Sequence, residues 1–282
     1  MLLKDLSGEI KKRLSNAYPD NEINAFISII YKHVFQYSMH DIIMHASESV
    51  EKNVQIKINN IVERLLRHEP IQYILGETEF FSLPFIVTPD ILIPRNETEE
   101  LVQHIINENP SFNGYILDIG TGSGCIAISL AMNMPLAHVS GFDISPKAIE
   151  TAKKNAKIND VDLSFFRHDI LSCQSSNTQY NIIVSNPPYI TWHEKDIMEA
   201  NVLKYEPHTA LFVPDSDPLL FYKAIAAFAI NSLTYDGVLW LEINEAFGSE
   251  TCQMLSEQGF NAIVIKDINE RDRFVRANKK PA

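Results

Sequence analysis

Up to about residue 75, apolar residues recur at helical spacing. Ile23, Phe26, Ile27, Ile30 and Val34 follow a Pro19-Asp20 start, and Ile58, Ile61, Val62, Leu65 and Leu66 form a second stripe. Glycine almost vanishes from this stretch, with Gly8 alone before Gly76. The pattern predicts a small helical domain of about four or five helices over residues 1–75. It holds no catalytic motif. Each apolar position therefore reads as the core of a packed helical layer, and the role left to the layer is interaction.

The texture then changes. EFFSLPFIV (79–87) is aromatic and β-branched around a Ser-Leu-Pro turn, which predicts a β-hairpin linker within residues 76–90. From Tyr115, short β-rich runs alternate with helical stretches. The runs are YILDIG (115–120), HVSGFD (138–143), LSFFRHD (163–169), YNIIVSN (180–186), VLWLEIN (238–244), NAIVIKD (261–267) and RFVRA (273–277). Helices fit between most of them, such as Pro146 to Ile158 with proline in the first turn. Such alternation predicts an α/β fold with a mostly parallel sheet covered on both faces. The last two runs are separated only by Ile268 to Asp272, too short for a crossover helix, so they should pair antiparallel. A parallel sheet finished by an antiparallel strand is the Rossmann-like arrangement of class I methyltransferases rather than of dehydrogenases. That domain is expected over residues 91–282, with the tail NKKPA frayed.

Composition narrows the partners. The 282 residues are 45% hydrophobic and 21% charged, which excludes a fully disordered chain. Net charge is -12, whereas a protein that gains affinity by neutralising phosphates is normally basic. Residues 1–80 hold 9 Lys/Arg against 11 Asp/Glu, and residues 81–282 hold 15 against 25, so neither part is a basic arm. Direct nucleic-acid binding is not expected. Cys125, Cys173 and Cys252 form no CxxC pair, which argues against a disulfide framework and a zinc site. The start MLLKDLSGEIKKR lacks the apolar core of a signal peptide. The most apolar helical stretch, Leu219 to Ile230, is too short for a bilayer and contains Lys223. A cytoplasmic protein away from membranes is expected.

Candidate chemistry begins with Asp118-Ile119-Gly120-Thr121-Gly122-Ser123-Gly124, which closes the first strand and opens the helix CIAISLAM. The glycines let the backbone turn sharply and approach a ligand. A dinucleotide G-x-G-x-x-G starting at Gly120 would need glycine where Cys125 stands; here the loop is G-x-G-x-G. Asp143 ends the second strand, where an acid can accept both ribose hydroxyls. An acid at a helix N-terminus before Pro146 is the other reading, and the glycine loop before it favours the ribose role. With no phosphate to bind, the glycine loop would meet an amino-acid moiety, and S-adenosylmethionine satisfies both requirements. Asp169 and Ile170, ending the third strand, suit adenine: the acid for its exocyclic amine, the isoleucine for its ring. A solvated loop acid is the other reading of Asp169.

Asn186-Pro187-Pro188-Tyr189 follows the strand NIIVS at its carboxyl end, where open α/β sheets place ligands. A plain turn is the bland alternative. Two prolines remove two backbone donors and stiffen the loop. What remains is an acceptor-rich corner, the Asn186 side-chain oxygen and the Pro187 carbonyl, beside the flat face of Tyr189. Such a corner selects a planar group bearing an NH2. Two acceptors on its two N–H bonds favour a pyramidal nitrogen with a localised lone pair, aimed at a sulfonium methyl. Alignment of the reactants can supply up to about 7–11 kcal/mol. The proton leaves once nitrogen becomes cationic, so no strong base is needed. The motif points to amino-group methylation without distinguishing an amide from adenine.

With these residues in place, the sequence resembles the protein-(glutamine-N5) methyltransferases of the bacterial release-factor family over nearly its whole length. The matching segments are EPIQYILGETEFF (69–81), IPRNETEEL (93–101), DIGTGSG, the Asp143 strand end, NPPY, VLKYEPHTAL (202–211) and the GF…D…RDRF ending (259–274). The resemblance implies a helical substrate-recognition domain, a hairpin linker and a class I methyltransferase domain. It implies methyl transfer from S-adenosylmethionine, with S-adenosylhomocysteine as product, to the glutamine of the Gly-Gly-Gln motif of class 1 peptide chain release factors. It carries cofactor contact onto Gly120, Thr121, Gly122, Ser123, Gly124, Asp143, Ile170 and Asn186, beside Asp169 from the strand-end reading. The glutamine clamp falls on Asn186, Pro187, Pro188 and Tyr189. Arg95, Glu97 and Thr98 resemble the segment closing over the active site, although Arg95 could also be a structural salt-bridge partner. Asn96 departs from a second proline usual in the family, and Asn244 and Phe247 from glycine and glutamine. A monomer without metal is expected. The alternatives are an N6-adenine or rRNA amino-group methyltransferase, which should show a basic face or a target-recognition insertion, and a non-catalytic scaffold that keeps the fold.

Overall fold

The computed structural model describes residues 1–172 and 175–281; Cys173, Gln174 and Ala282 lie outside the described residues. Two compact units emerge. The smaller comprises Met1–Gly76 with Glu199–Tyr205, the larger Glu77–Met198 with Glu206–Ala282.

The smaller unit contains α1 (Leu3–Leu14), α2 (Asp20–Phe35), α3 (Met39–Met44), α4 (Lys52–Leu65) and α5 (Ile71–Leu75). The helical stripes are its core: Ile23, Phe26, Ile27 and Ile30 of α2 pack with Ile58, Ile61, Val62 and Leu65 of α4 and with Leu3, Leu6, Ile10 and Leu14 of α1. Ser38 starts α3 with a capping box, its hydroxyl accepting from Asp41 N while the Asp41 carboxylate accepts from Ser38 N. In the same unit the Tyr205 hydroxyl donates to the Arg67 carbonyl at 2.9 Å.

The larger unit opens with a hairpin of β1 (Glu77–Phe80) and β2 (Leu83–Ile86). Its turn is Phe81-Ser82, both at positive φ (51° and 60°), rather than the Ser-Leu-Pro expected. A two-residue turn with both residues left-handed matches strand twist, so Leu83 and Pro84 fall inside β2. The Phe81 N–H is donated to Glu99 Oε1 at 2.6 Å. Asn155, fully buried, fastens the hairpin: its side chain accepts from Ile86 N and donates to the carbonyls of Ile86 and of Ser123 in the glycine loop.

There follow α6 (Asn96–Glu108), β3 (Tyr115–Ile119), α7 (Cys125–Asn133), β4 (His138–Asp143), α8 (Pro146–Ile158), β5 (Ser164–Arg167), β6 (Tyr180–Ser185), β7 (Ile190–Thr191), α9 (Ala200–Tyr205, in the smaller unit), β8 (Phe212–Val213), α10 (Leu220–Ser232), β9 (Leu233–Glu242), α11 (Gly248–Glu257), β10 (Phe260–Lys266) and β11 (Asp272–Lys279). The main sheet runs β10-β11-β9-β6-β3-β4-β5. From β9 through β5 neighbours are parallel, while β11 pairs antiparallel with both β9 and β10. This is the expected class I methyltransferase sheet. One apolar layer lies on each face: Leu101, Ile105, Ile126, Leu130 and Ile149 on one, Tyr222, Ile225, Phe228 and Leu255 on the other.

Two differences from expectation have local causes. β9 begins at Leu233, five residues before the apolar run at Val238, because Leu233 pairs with Tyr180 across a register shift. The tail is not frayed at Asn278 and Lys279: they pair with Asn261 and Phe260, and Lys280 N–H donates to Gly259 O at 2.8 Å. Gly8 offers a check on the helical unit. It is exposed in α1, with open space where a Cβ would stand. Gly8→Ala should stabilise the chain by about 0.5–1 kcal/mol; a urea midpoint unchanged or lowered would contradict an intact α1 at that position.

Candidate active site

The parallel strands present their carboxyl ends on one edge of the sheet. Register fixes their order: Ile119 of β3 lies opposite Ser185 of β6, and Ser185 opposite Leu241 of β9. The next residues, Gly120, Asn186 and Glu242, are therefore level with one another.

A cavity of about 400 Å³ opens at this edge, within the range of small-molecule sites. Gly120, Gly122, Asp143, Asp169, Ile170, Asn186, Pro187 and Pro188 line it, all singled out from sequence. The glycines divide the labour. Gly120 (φ +73°) faces open space where a Cβ would be, so its backbone is free to meet a ligand. Gly124 instead serves packing, since a Cβ there would stand 3.0 Å from Ile128 and 3.1 Å from Ala152. Thr121 turns inward, donating its hydroxyl to buried Asp118 at 2.6 Å. Ser123 contributes its carbonyl to Asn155. Neither residue lines the cavity.

Asp143 is held in place by its own loop. It accepts from Gly122 N and Ser145 N, both at 2.9 Å, and burial holds its carboxyl above the usual range. The Ser145 hydroxyl also caps α8, so this strand end both starts the helix and borders the cavity. Asp169 accepts from Leu171 N at 2.9 Å, a loop acid that nonetheless borders the cavity. Apolar walls come from residues the sequence did not single out, notably Phe142, Ile144, Leu171, Phe212 and Phe221, with Ile91 and Leu92 from the segment after the hairpin. Ile144 is 55% exposed, an apolar surface open to a flat ring.

Those residues fit S-adenosylmethionine. Asp90, Asp143 and Asp169 line the cavity, with no lysine or arginine among the described lining residues. An acid-lined site suits a cationic sulfonium and ammonium and disfavours a pyrophosphate. The open glycine backbone leaves room for an amino-acid moiety, and the apolar walls for an adenine ring.

Behind the Asn-Pro-Pro-Tyr corner lies a buried polar cluster. Asn186 Nδ2 donates to Thr98 Oγ1 at 3.0 Å, and Thr98 Oγ1 donates to Glu242 Oε2 at 2.7 Å. The Tyr189 hydroxyl donates to Glu242 Oε1 at 3.2 Å. Tyr189 thus backs the corner rather than lining the cavity. Arg95 forms an ion pair at 2.5 Å with Glu206, itself 4% exposed, which also accepts from Ile93 N. This is the structural partnership left open by the sequence. Glu97 does not line the cavity; its charge acts on Glu242.

The departures are absorbed. Asn96 is an exposed first residue of α6, a slot where proline is favoured but not required. Asn244 donates to the Tyr189 carbonyl at 3.2 Å and to Glu194 at 3.0 Å, and accepts from Ala246 N. Phe247 closes the short turn before α11.

Glu242 is the functional candidate that sequence reading missed. The signal available was an acid within the apolar run VLWLEIN. Burial pushes it up to about 7, against the pull of the Thr98 and Tyr189 hydroxyls and of Arg273. Asp118 is likewise pushed up to about 7 by burial. Burial also raises the Cys125 thiol to about 12, leaving it unreactive.

Fold and site together define a class I methyltransferase that uses S-adenosylmethionine. The chain is 44% identical to the release factor glutamine methyltransferase of Flavobacterium psychrophilum, over 99% of both chains. It is also 44% identical to that of Bacteroides thetaiotaomicron, over 97% of this chain and 99% of the other. It belongs to the release factor glutamine methyltransferase family. Family models agree, a PrmC N-terminal domain matching residues 5–76 and a methyltransferase small domain matching residues 96–205. Among solved structures, a methyltransferase from Pyrococcus furiosus shares the fold with a TM-score of 0.53 at 15% identity, over 82% of this chain and all (100%) of that one. The Thermus thermophilus 16S rRNA N2 G1207 methyltransferase does so with a TM-score of 0.53 at 17% identity, over 73% of this chain and 50% of that one. Among the described residues no helix is long and apolar enough to cross a membrane.

The two raised acids have a thermodynamic consequence. Ordinary carboxyls titrate near 4, so between about pH 4.5 and pH 7 the folded chain binds protons that the unfolded chain has released. Their contribution to stability is complete below that window and is lost as pH rises through about 7. Urea titrations should show stability from this source falling across the window, with a shallower fall in Glu242→Gln. An identical slope in both proteins would contradict a raised Glu242.

Proposed function

We propose that this chain transfers the methyl group of S-adenosylmethionine to the side-chain amide nitrogen of the glutamine in the Gly-Gly-Gln motif of class 1 peptide chain release factors. The observation that carries this reading is the position of the Asn186-Pro187 corner, which lines the same cavity as Gly120 and Asp143. A carboxamide presented there meets acceptors beside the methyl donor.

The cofactor supplies an electrophilic methyl on a positively charged sulfur when bound. Gly120 and Gly122 would face its amino-acid end, Asp143 its ribose, and Ile144 and Ile170 its adenine. The protein's part is then one of geometry. Asn186 and the Pro187 carbonyl accept the two amide N–H bonds and hold the nitrogen in line; Pro187 and Pro188 keep competing backbone donors out. Because the nitrogen sheds its proton after becoming cationic, neither a nucleophile nor a strong base is required. Incubation with labelled donor, purified release factor and, separately, DNA and rRNA should place the label on one glutamine nitrogen. Label on a base would instead favour an amino-group methyltransferase acting on nucleic acid. Asn186→Ala should slow transfer about 100-fold or more, and a variant that methylates at full rate would overturn the clamp.

The helical unit is assigned to grip the body of the release factor, because it has a separate core and no chemistry of its own. Ile43 and Met44 of α3 are 72% and 69% exposed, apolar side chains available to a partner. Replacing both by aspartate should raise KM for intact release factor while leaving a short Gly-Gly-Gln peptide unaffected. An equal effect on both substrates would refute that assignment.

A further inference from the structure

The orientation of the Asn186 carboxamide is dictated from behind. An Asn clamp faces an ambiguity: an amide turned by half a rotation offers a donor where an acceptor is needed. Two buried groups resolve it here. Glu242 is 1% exposed and Thr98 2% exposed, so neither exchanges its partners with bulk water. A threonine hydroxyl owns one proton. An ionised Glu242 has none to give, so the Thr98 proton goes to Glu242 Oε2 at 2.7 Å. Thr98 can then only accept from Asn186, which must present Nδ2 at 3.0 Å. The donor chain runs one way, from Asn186 to Thr98 to Glu242, and Asn186 Oδ1 is left as an acceptor. The same carboxylate takes the Tyr189 hydroxyl on its other oxygen at 3.2 Å, steadying the far end of the corner.

We propose that Glu242 and Thr98 are positioning residues for methyl transfer: the buried carboxylate, acting through the threonine hydroxyl, sets which atom of Asn186 faces the substrate amide. The proposal rests on the glutamine-methylation reading, which requires that acceptor. Protonation of Glu242 removes the constraint. A neutral acid can donate to Thr98, whose own proton is then free to run to Asn186 Oδ1. The amide loses its enforced direction and the acceptor is spent. The groups facing Glu242 oppose one another: Arg273 of β11 and the hydroxyls of Thr98 and Tyr189 favour the carboxylate, while burial and Glu97 of α6 favour the acid. The balance places titration at about 7.

The test measures single-turnover methyl transfer to intact release factor from about pH 6 to about pH 9, with cofactor affinity and thermal melting followed in parallel. In the wild-type chain the rate should rise with pH through one ionisation. Glu242→Gln should be about tenfold to hundredfold slower, and flat across that range, while still binding S-adenosylmethionine. Thr98→Val should be slowed as much, and Thr98→Ser, which restores the hydroxyl, should recover most of the loss. A purely structural role predicts lost melting temperature without loss of the pH limb. Persistence of the limb in Glu242→Gln, or wild-type rate in Thr98→Val, overturns the proposal. If Glu242→Gln fails to bind cofactor, the Val and Ser variants of Thr98 decide the matter. A wild-type chain that labels no release factor glutamine overturns the substrate reading and this positioning role with it; an active wild type with unaffected variants overturns the positioning role alone.

Discussion

Parallel pairing of β3 with β6 is the constraint on which the site depends. Ile119 lies opposite Ser185, and the Ser185 hydroxyl donates to the Ile119 carbonyl at 2.7 Å where the ladder ends. That bond satisfies a buried acceptor that would otherwise be costly at the strand terminus. It also forces both chains to diverge at the same level. One becomes the glycine loop and the other the Asn-Pro-Pro corner, so sheet register brings both to the same cavity. A slip of one residue would invert the faces of β6 and bury the corner.

Charge completes what register begins. The cavity is lined by carboxylates, and its ligand carries positive charge on sulfur and nitrogen. The corner is stripped of backbone donors, which suits a group that donates. Both sets of groups border one cavity, the acids spread along it and the acceptors gathered at the Asn186-Pro187 end. The net charge of -12 has the same sign as the cavity, which disfavours polyanionic partners throughout.

Much of this was legible in the sequence. The alternation of strands and helices, the antiparallel finish and the spacing of G-x-G-x-G are local signals, and the structure places them as read. Less legible were features that depend on residues distant in sequence. The hairpin turn at Phe81-Ser82 carries no glycine or asparagine to announce left-handed backbone; its N–H is held by Glu99, a partner eighteen residues away. Glu199–Tyr205 packs with a unit whose remaining residues end at Gly76, and no composition shift marks it. The cavity's apolar walls come from strand ends and loops whose residues look like ordinary core. Thr121, Ser123 and Tyr189 share motifs with true lining residues yet point elsewhere, because a motif gives positions and not side-chain directions.

Glu242 shows why such a residue is hard to foresee and why the fold retains it. In a strand whose neighbours are Trp240, Leu241 and Ile243, each at 0% exposure, an acid is an energetic liability. Its two oxygens are satisfied by two hydroxyls rather than by a close cation, Arg273 acting only at longer range. A leucine there would remove the cost of burying a charge but leave the Tyr189 hydroxyl without its acceptor. It would also leave Thr98 free to point its proton at Asn186. A hydrophobic core specifies shape but not the direction of a hydrogen bond, and an amide clamp needs that direction. The buried carboxylate supplies the one thing that apolar packing cannot, and the loss of stability above its pKa is the consequence of placing it where only hydroxyls can meet it.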